Sequence, residues 1–208
     1  MKKALDKIFN LIRFDKKYVF FSLIIVLTGI IFGSIFIVII NKNDKTLVIE
    51  YINKFINSIK SDDFNYSSTL ISTLLTNNII IIIMIILGIS CILVPINILI
   101  LFYKSFIIGF SLSGFILAFK LKGLIISIVY IFPHLILNIL ILCILTAFTL
   151  KLSINLIKTT VRRKKCNLNL YLKKYIYVII LFVMLISISS LYESFIVPYI
   201  LKKIIILI

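Results

Sequence analysis

The run from Gly123 to Leu150, GLIISIVYIFPHLILNILILCILTAFTL, is apolar enough to cross a bilayer, yet Pro133 and His134 stand side by side near its middle. A chain holding such a run has few ways to fold. In hydrocarbon every backbone polar group must find its partner within the protein, so the run has to be helical. An interior proline removes a backbone donor and clashes with the carbonyl four residues earlier, which predicts a helix kinked or split at Pro133. The freed carbonyl then needs a partner on a neighbouring segment. Asn138 follows His134 by four residues, so the two share a helical face. That face is expected to look into a bundle or a wet cavity enclosed by the other apolar segments.

Such segments are plentiful, because the chain is 62% hydrophobic and only 14% charged over 208 residues, outside the range of soluble domains. The apolar runs are continuous and do not alternate, which excludes a transmembrane barrel. The expectation is one all-α polytopic membrane domain with five transmembrane helices, at about 18–40, 79–101, 106–119, 124–150 and 175–198, the fourth broken at Pro133. The first run is too long for a signal-peptide core and no small-residue cleavage site follows it, so it is read as a retained span. Gly29 and Gly33 within it form a GxxxG, a spacing that permits close helix contact.

The formal net charge of +16 is concentrated in short segments beside the spans. That is the pattern of cytoplasmic juxtamembrane Lys and Arg and not of a nucleic-acid surface. With the N-terminus inside, the cytoplasmic segments hold six basic residues, then one (Lys104), then eight between Lys151 and Lys174; the outer segments hold four, two and two, offset by the outer acids. The orientation expected is N-in, C-out. The outer loop, 41–78, contains a stretch 47–59 in which Leu47, Val48, Tyr51, Ile52, Phe55, Ile56 and Ile59 fall on one helical face. Such a helix either rests on the lipid surface or binds a partner through Tyr51, Phe55 and Ile56.

Few groups are suited to catalysis. There is one histidine, with no HExxH, no glycine-rich phosphate loop and no paired carboxylates in a span. Ser111 and Ser113 lie in SLSG, but Ser111 occupies the place where an intramembrane serine protease would need glycine. Cys91, Cys143 and Cys166 are too few and too dispersed for a disulfide framework or a CxxC metal site. No cofactor, metal site or enzymatic activity is expected. The lone carboxylate of the last span, Glu193, is costly in hydrocarbon and is expected to face the bundle, with His134 or a helix terminus as partner.

The order of motifs resembles the stage II sporulation protein M family. The residues that carry the resemblance are Asn77 and Asn78, VPINILILFYKSFIIGFSLSGF from Val94 to Phe115 with Pro95, Gly109 and Gly114, IFPHLILNI from Ile131 to Ile139, and LYESFIVPYI from Leu191 to Ile200 with Glu193 and Pro198. Relatives often carry a glycine and an acid after the Pro-His pair, where this chain has Leu135 and Asn138. The resemblance implies a non-enzymatic scaffold that anchors two peptidoglycan hydrolases, stage II sporulation proteins D and P, at the septum while the mother-cell membrane engulfs the forespore. The rival from another class is a small transporter or channel with a path near His134 and Glu193, since broken helices and intramembrane carboxylates mark substrate paths.

Overall fold

A computed structural model describes residues 16–61, 65–89, 93–131, 134–162 and 168–207, all of the regular elements being helical. In chain order these are α1 (Lys16–Ile39), α2 (Lys42–Lys60), α3 (Tyr66–Ile89), α4 (Val94–Ile131), α5 (His134–Arg162), α6 (Leu168–Leu191), a π-helical turn (Tyr192–Ile196) and α7 (Val197–Leu207). Among the described residues five helical stretches are long and apolar enough to cross a membrane: Lys16–Ile39, Tyr66–Gly88, Val94–Tyr130, Leu135–Ile157 and Ile179–Ile204. The expected number of spans is therefore met, with different boundaries.

The second span begins at Tyr66 and not near Ile79. Asn65 makes this start, its Oδ1 accepting the Ser68 N–H at 3.1 Å, and an N-cap of this type satisfies one of the open amides of the first turn. The hydroxyls that follow are absorbed by the helix itself, since Thr69 Oγ1 donates to the Asn65 carbonyl and Thr73 Oγ1 to that of Thr69, both at 2.9 Å. A polar first half can thus be helical even where lipid surrounds it. The same helix ends by Ile89, so Pro95 does not interrupt a span. It occupies the first turn of α4, where the missing N–H costs little.

The expected short third segment, 106–119, is the latter part of a longer arm of α4, 94–119, and Lys104 lies inside that arm. At Lys120 the backbone turns sharply, with φ 52° and ψ −127°. This is the conformation of the first central residue of a type II′ turn, which glycine adopts without strain and lysine does not. Three residues on, a side chain at Gly123 would strike the Phe115 carbonyl. Eight residues along a straight helix would be about 12 Å apart, so the second arm, 121–131, folds back along the first. Successive contacts trace an antiparallel register: Phe115 with Tyr130, Lys104 and Ile108 with Asn138 around one pocket, and Asn97 with Thr149. The second arm of α4 and then α5 therefore descend along the first arm, one after the other. α4 is described to Ile131 and α5 from His134; the break expected at Pro133 lies outside the described residues.

α2 caps one end of this bundle. Its entry is tied to α1 by Lys45 Nζ, which donates to the Val38 carbonyl at 2.8 Å and satisfies one of the open groups at that helix end. Ile56 and Ile59 are buried in a cluster with Phe115, Ile126, Val197 and Leu201. The face expected to meet lipid or a partner is thus largely occupied by the chain's own helices. The α2 helix, the Lys120 turn and α7 share this end. The larger cluster, centred on Ile81, Met84, Leu101, Leu145 and Ile186, fills the bundle between α1, α3, α4, α5 and α6.

Candidate functional site

In a chain made mostly of isoleucine, leucine and phenylalanine, a site is found by following the polar groups inward. The π-helical turn Tyr192–Ile196 widens the last span locally and carries Glu193 and Ser194. One extra residue per turn shifts the faces on either side of such a bulge, and bulges of this kind recur at functional positions. Ser194 is fully buried, donates to the Ser190 carbonyl at 2.9 Å and stands 3.5 Å from Thr73 Oγ1. One turn along α3, Asn77 Nδ2 donates to Ser190 Oγ at 3.3 Å. A ladder of short polar side chains therefore joins α3 to the last span.

Beside this ladder lies a pocket of about 70 Å³ lined by Asn77 and Ile80 of α3, Lys104, Ile107 and Ile108 of α4, Leu135, Asn138, Ile139 and Leu142 of α5, and Ile186 of α6. Lys104 sits about 15 Å along α4 from its start, at 1.5 Å per residue. It is within the span, and not in the cytoplasmic segment to which its charge was assigned. Lys104 and Glu193 feel each other's charge, and Tyr130 feels that of Glu193. Lys104, a residue absent from the sequence reading of the site, is thus one charged group whose field reaches Glu193. Opposite charges carried on different helices of one bundle make each other more tolerable in a membrane.

Asn138 faces this pocket and is only 8% exposed, and its Oδ1 has no hydrogen-bond partner. A buried acceptor left open costs about 1–3 kcal/mol. Asn78 also carries a buried Oδ1 without a hydrogen-bond partner, on a groove between α3 and α6 beside Ser187 and Leu191. Asn97, fully buried, donates to the Met84 carbonyl at 2.9 Å and to Thr149 Oγ1 at 3.4 Å, joining three helices.

The other residues singled out in the sequence are scattered. Gly109 meets the Ile30 backbone of α1, Gly114 faces Ile52 and Ile37 side chains, and Pro198 is buried in the first turn of α7. His134 opens α5; its side chain, like Cys91 and Cys166, lies outside the described residues. Cys143 is a buried free thiol. On α2, Tyr51 is 72% exposed, Phe55 leans edge-on against Tyr130 at 5.6 Å, and Ile56 is buried. Ile56 is therefore a core residue and not a partner contact, because the last helix and the α4 hairpin already cover it. Among the described residues no three His, Cys, Asp or Glu side chains gather in a metal-holding group.

The five spans, the α4 hairpin and the Glu-bearing last helix run through the segment that the family model for Stage II sporulation protein M matches, residues 22–198. The chain belongs to that family. Neither a curated protein nor a solved structure matches it. It is a multi-pass membrane protein of the stage II sporulation protein M family, and members of this family are generally non-catalytic.

Proposed function

We propose that this chain is a non-enzymatic membrane scaffold which holds peptidoglycan hydrolases, stage II sporulation proteins D and P, at the septum during engulfment. The family match over 22–198 carries the reading. A scaffold needs a rigid frame and a free face. The α2 cap supplies both, because its inner side is locked into the bundle while Leu47, Glu50, Tyr51 and Lys54 remain exposed. Enzymes that cut wall act outside the membrane, so the cap belongs on the outer side and the basic segment 151–174 in the cytoplasm. Removing Lys104 from the cytoplasmic count leaves six and eight basic residues inside against eight outside, which keeps the N-in, C-out orientation.

Two experiments test this. In intact protoplasts a membrane-impermeant thiol reagent should spare Cys166 and label a cysteine introduced at Asn57; the reverse pattern overturns the orientation. Replacing Leu47 and Tyr51 with Ser should leave the folded protein level unchanged and reduce recovery of both hydrolases with it, and deletion of the protein should arrest engulfment with the hydrolases mislocalised. Arrest with both enzymes correctly placed defeats the scaffold reading. The second reading, a small transporter, is favoured by Lys104 and Glu193 both lying within the spans. A solute-dependent growth defect without engulfment arrest would select it.

A further inference from the structure

The central pocket combines three unusual features. A lysine from within a span lines it, Asn77 of α3 adds a second amide, and the wall carries a buried amide oxygen that no donor reaches. The groups constrain what can occupy the space. An anion would meet the amide oxygens of Asn77 and Asn138, and a metal cation would meet the Lys104 side chain. An apolar group would leave Asn138 Oδ1 open. A neutral molecule that both donates and accepts meets every demand, and about 70 Å³ is room for roughly two or three waters at ~30 Å³ each. Asn77 fits the same accounting, since its Nδ2 is engaged with Ser190 and its Oδ1 can accept.

We propose that the pocket between Asn77, Lys104 and Asn138 is a built water site, in which a small cluster solvates the Lys104 side chain and donates to Asn138 Oδ1 inside the membrane. The site then fastens α3, α4 and α5 through one set of bridging waters. It stands independently of which proteins the bundle recruits.

Hydroxyl-radical labelling by synchrotron radiolysis, read by mass spectrometry on the full chain in lipid nanodiscs, tests the water directly, because radicals form where water is held. Leu135, Ile139 and Leu142 should label roughly tenfold faster than Ile86 and Leu99, which are exposed on the bundle's outer surface. Asn138→Leu, which fills the pocket, should bring the first group down to the rate of the second. Equal rates at the two groups in the folded wild-type chain would show a dry pocket and overturn the proposal, whether or not the variant folds.

Discussion

Where α1 crosses α4, backbone meets backbone. Side chains added at Gly33 and Gly109 would strike the carbonyls of Phe106 and Ile30, and one at Gly29 would come within 2.8 Å of the Phe102 carbonyl. Phe36 then stands edge-on to Phe106 at 5.5 Å and Phe32 to Phe102 at 6.1 Å, covering the flanks of the crossing. Where α3 meets the last span, the helices are joined by Thr73, Asn77, Ser190 and Ser194 instead, through contacts of 3.3 to 3.5 Å. Lipid tails are as apolar as leucine, so neither seam gains from a hydrophobic effect between helices. The first seam gains dispersion through close approach, and the second gains polar satisfaction. A seam of the first kind tolerates no added atom, whereas one of the second kind loses only what each hydrogen bond is worth.

The largest effects should follow from crowding the glycine seam. Gly33→Leu and Gly109→Leu each force a side chain against a helix backbone that cannot step aside locally, and should destabilise the bundle by about 3 kcal/mol or more. Thermal unfolding in detergent, monitored by loss of monodisperse protein, reads this. Gly114 supplies the control within α4. A methyl group there meets only the side-chain tips of Ile52 at 3.1 Å and Ile37 at 3.4 Å, so Gly114→Ala should cost under about 1 kcal/mol. Equal losses at Gly33 and Gly114 would show that the two helices do not approach as described.

The polar seam should yield smaller numbers. Asn97→Ala removes the bond to the Met84 carbonyl and the longer one to Thr149, and should cost about 1–1.5 kcal/mol. Asn77→Ala removes a single 3.3 Å bond to Ser190 and should cost about 0.6 kcal/mol. If Asn77→Ala proves as damaging as Gly33→Leu, the distinction between the seams fails. Lys120→Gly should act in the opposite direction, relieving a φ of 52° and stabilising the hairpin by about 1 kcal/mol; unchanged or lowered stability would place the turn elsewhere.

The two seams also differ in how plainly they are written in the chain. GxxxG spacing places Gly29 and Gly33 on one face before any partner is known, so the first seam is legible from one helix alone. Lys104 was not. Reading Pro95 as the interior of a span ended one helix at Leu101 and left Lys104 in a loop, whereas a proline in a first turn would have put VPINILILFYKSFIIGF on one continuous helix with the lysine inside it. The start of α3 was missed because serines and threonines look like loop until their hydroxyls are paired with the carbonyls of their own helix. The ladder from Thr73 to Ser194 depends on the register between two helices far apart in sequence, and no spacing within either reveals it. The inner role of Ile56 and Ile59 is of this kind too, since an amphipathic face does not say what covers it.

The smallest effect belongs to the exposed side of α2, outside both seams. Lys54 Nζ lies 2.7 Å from Glu50 Oε1, four residues away on a solvent-facing surface. The hydrogen bond to Lys54, and then its charge, hold the Glu50 carboxyl below its ordinary range, and the hydrogen bond to Glu50, and then its charge, raise Lys54. The sign of the linkage follows for each. The Glu50 contribution is present above its unfolded pKa and is lost as pH falls through the lower folded value. The Lys54 contribution is present below its unfolded pKa and is lost as pH rises through the higher folded one. Both windows lie away from neutrality, so the pair should impose no slope on stability between about pH 6 and 9. Both groups are fully solvated, and screening leaves such a pair little to give. Lys54→Ala should therefore leave the unfolding temperature unchanged within error at neutral pH and at any salt concentration. A measurable loss, or one that grows at low salt, would mean that α2 is held by its outer charges and not by Ile56 and Ile59 beneath.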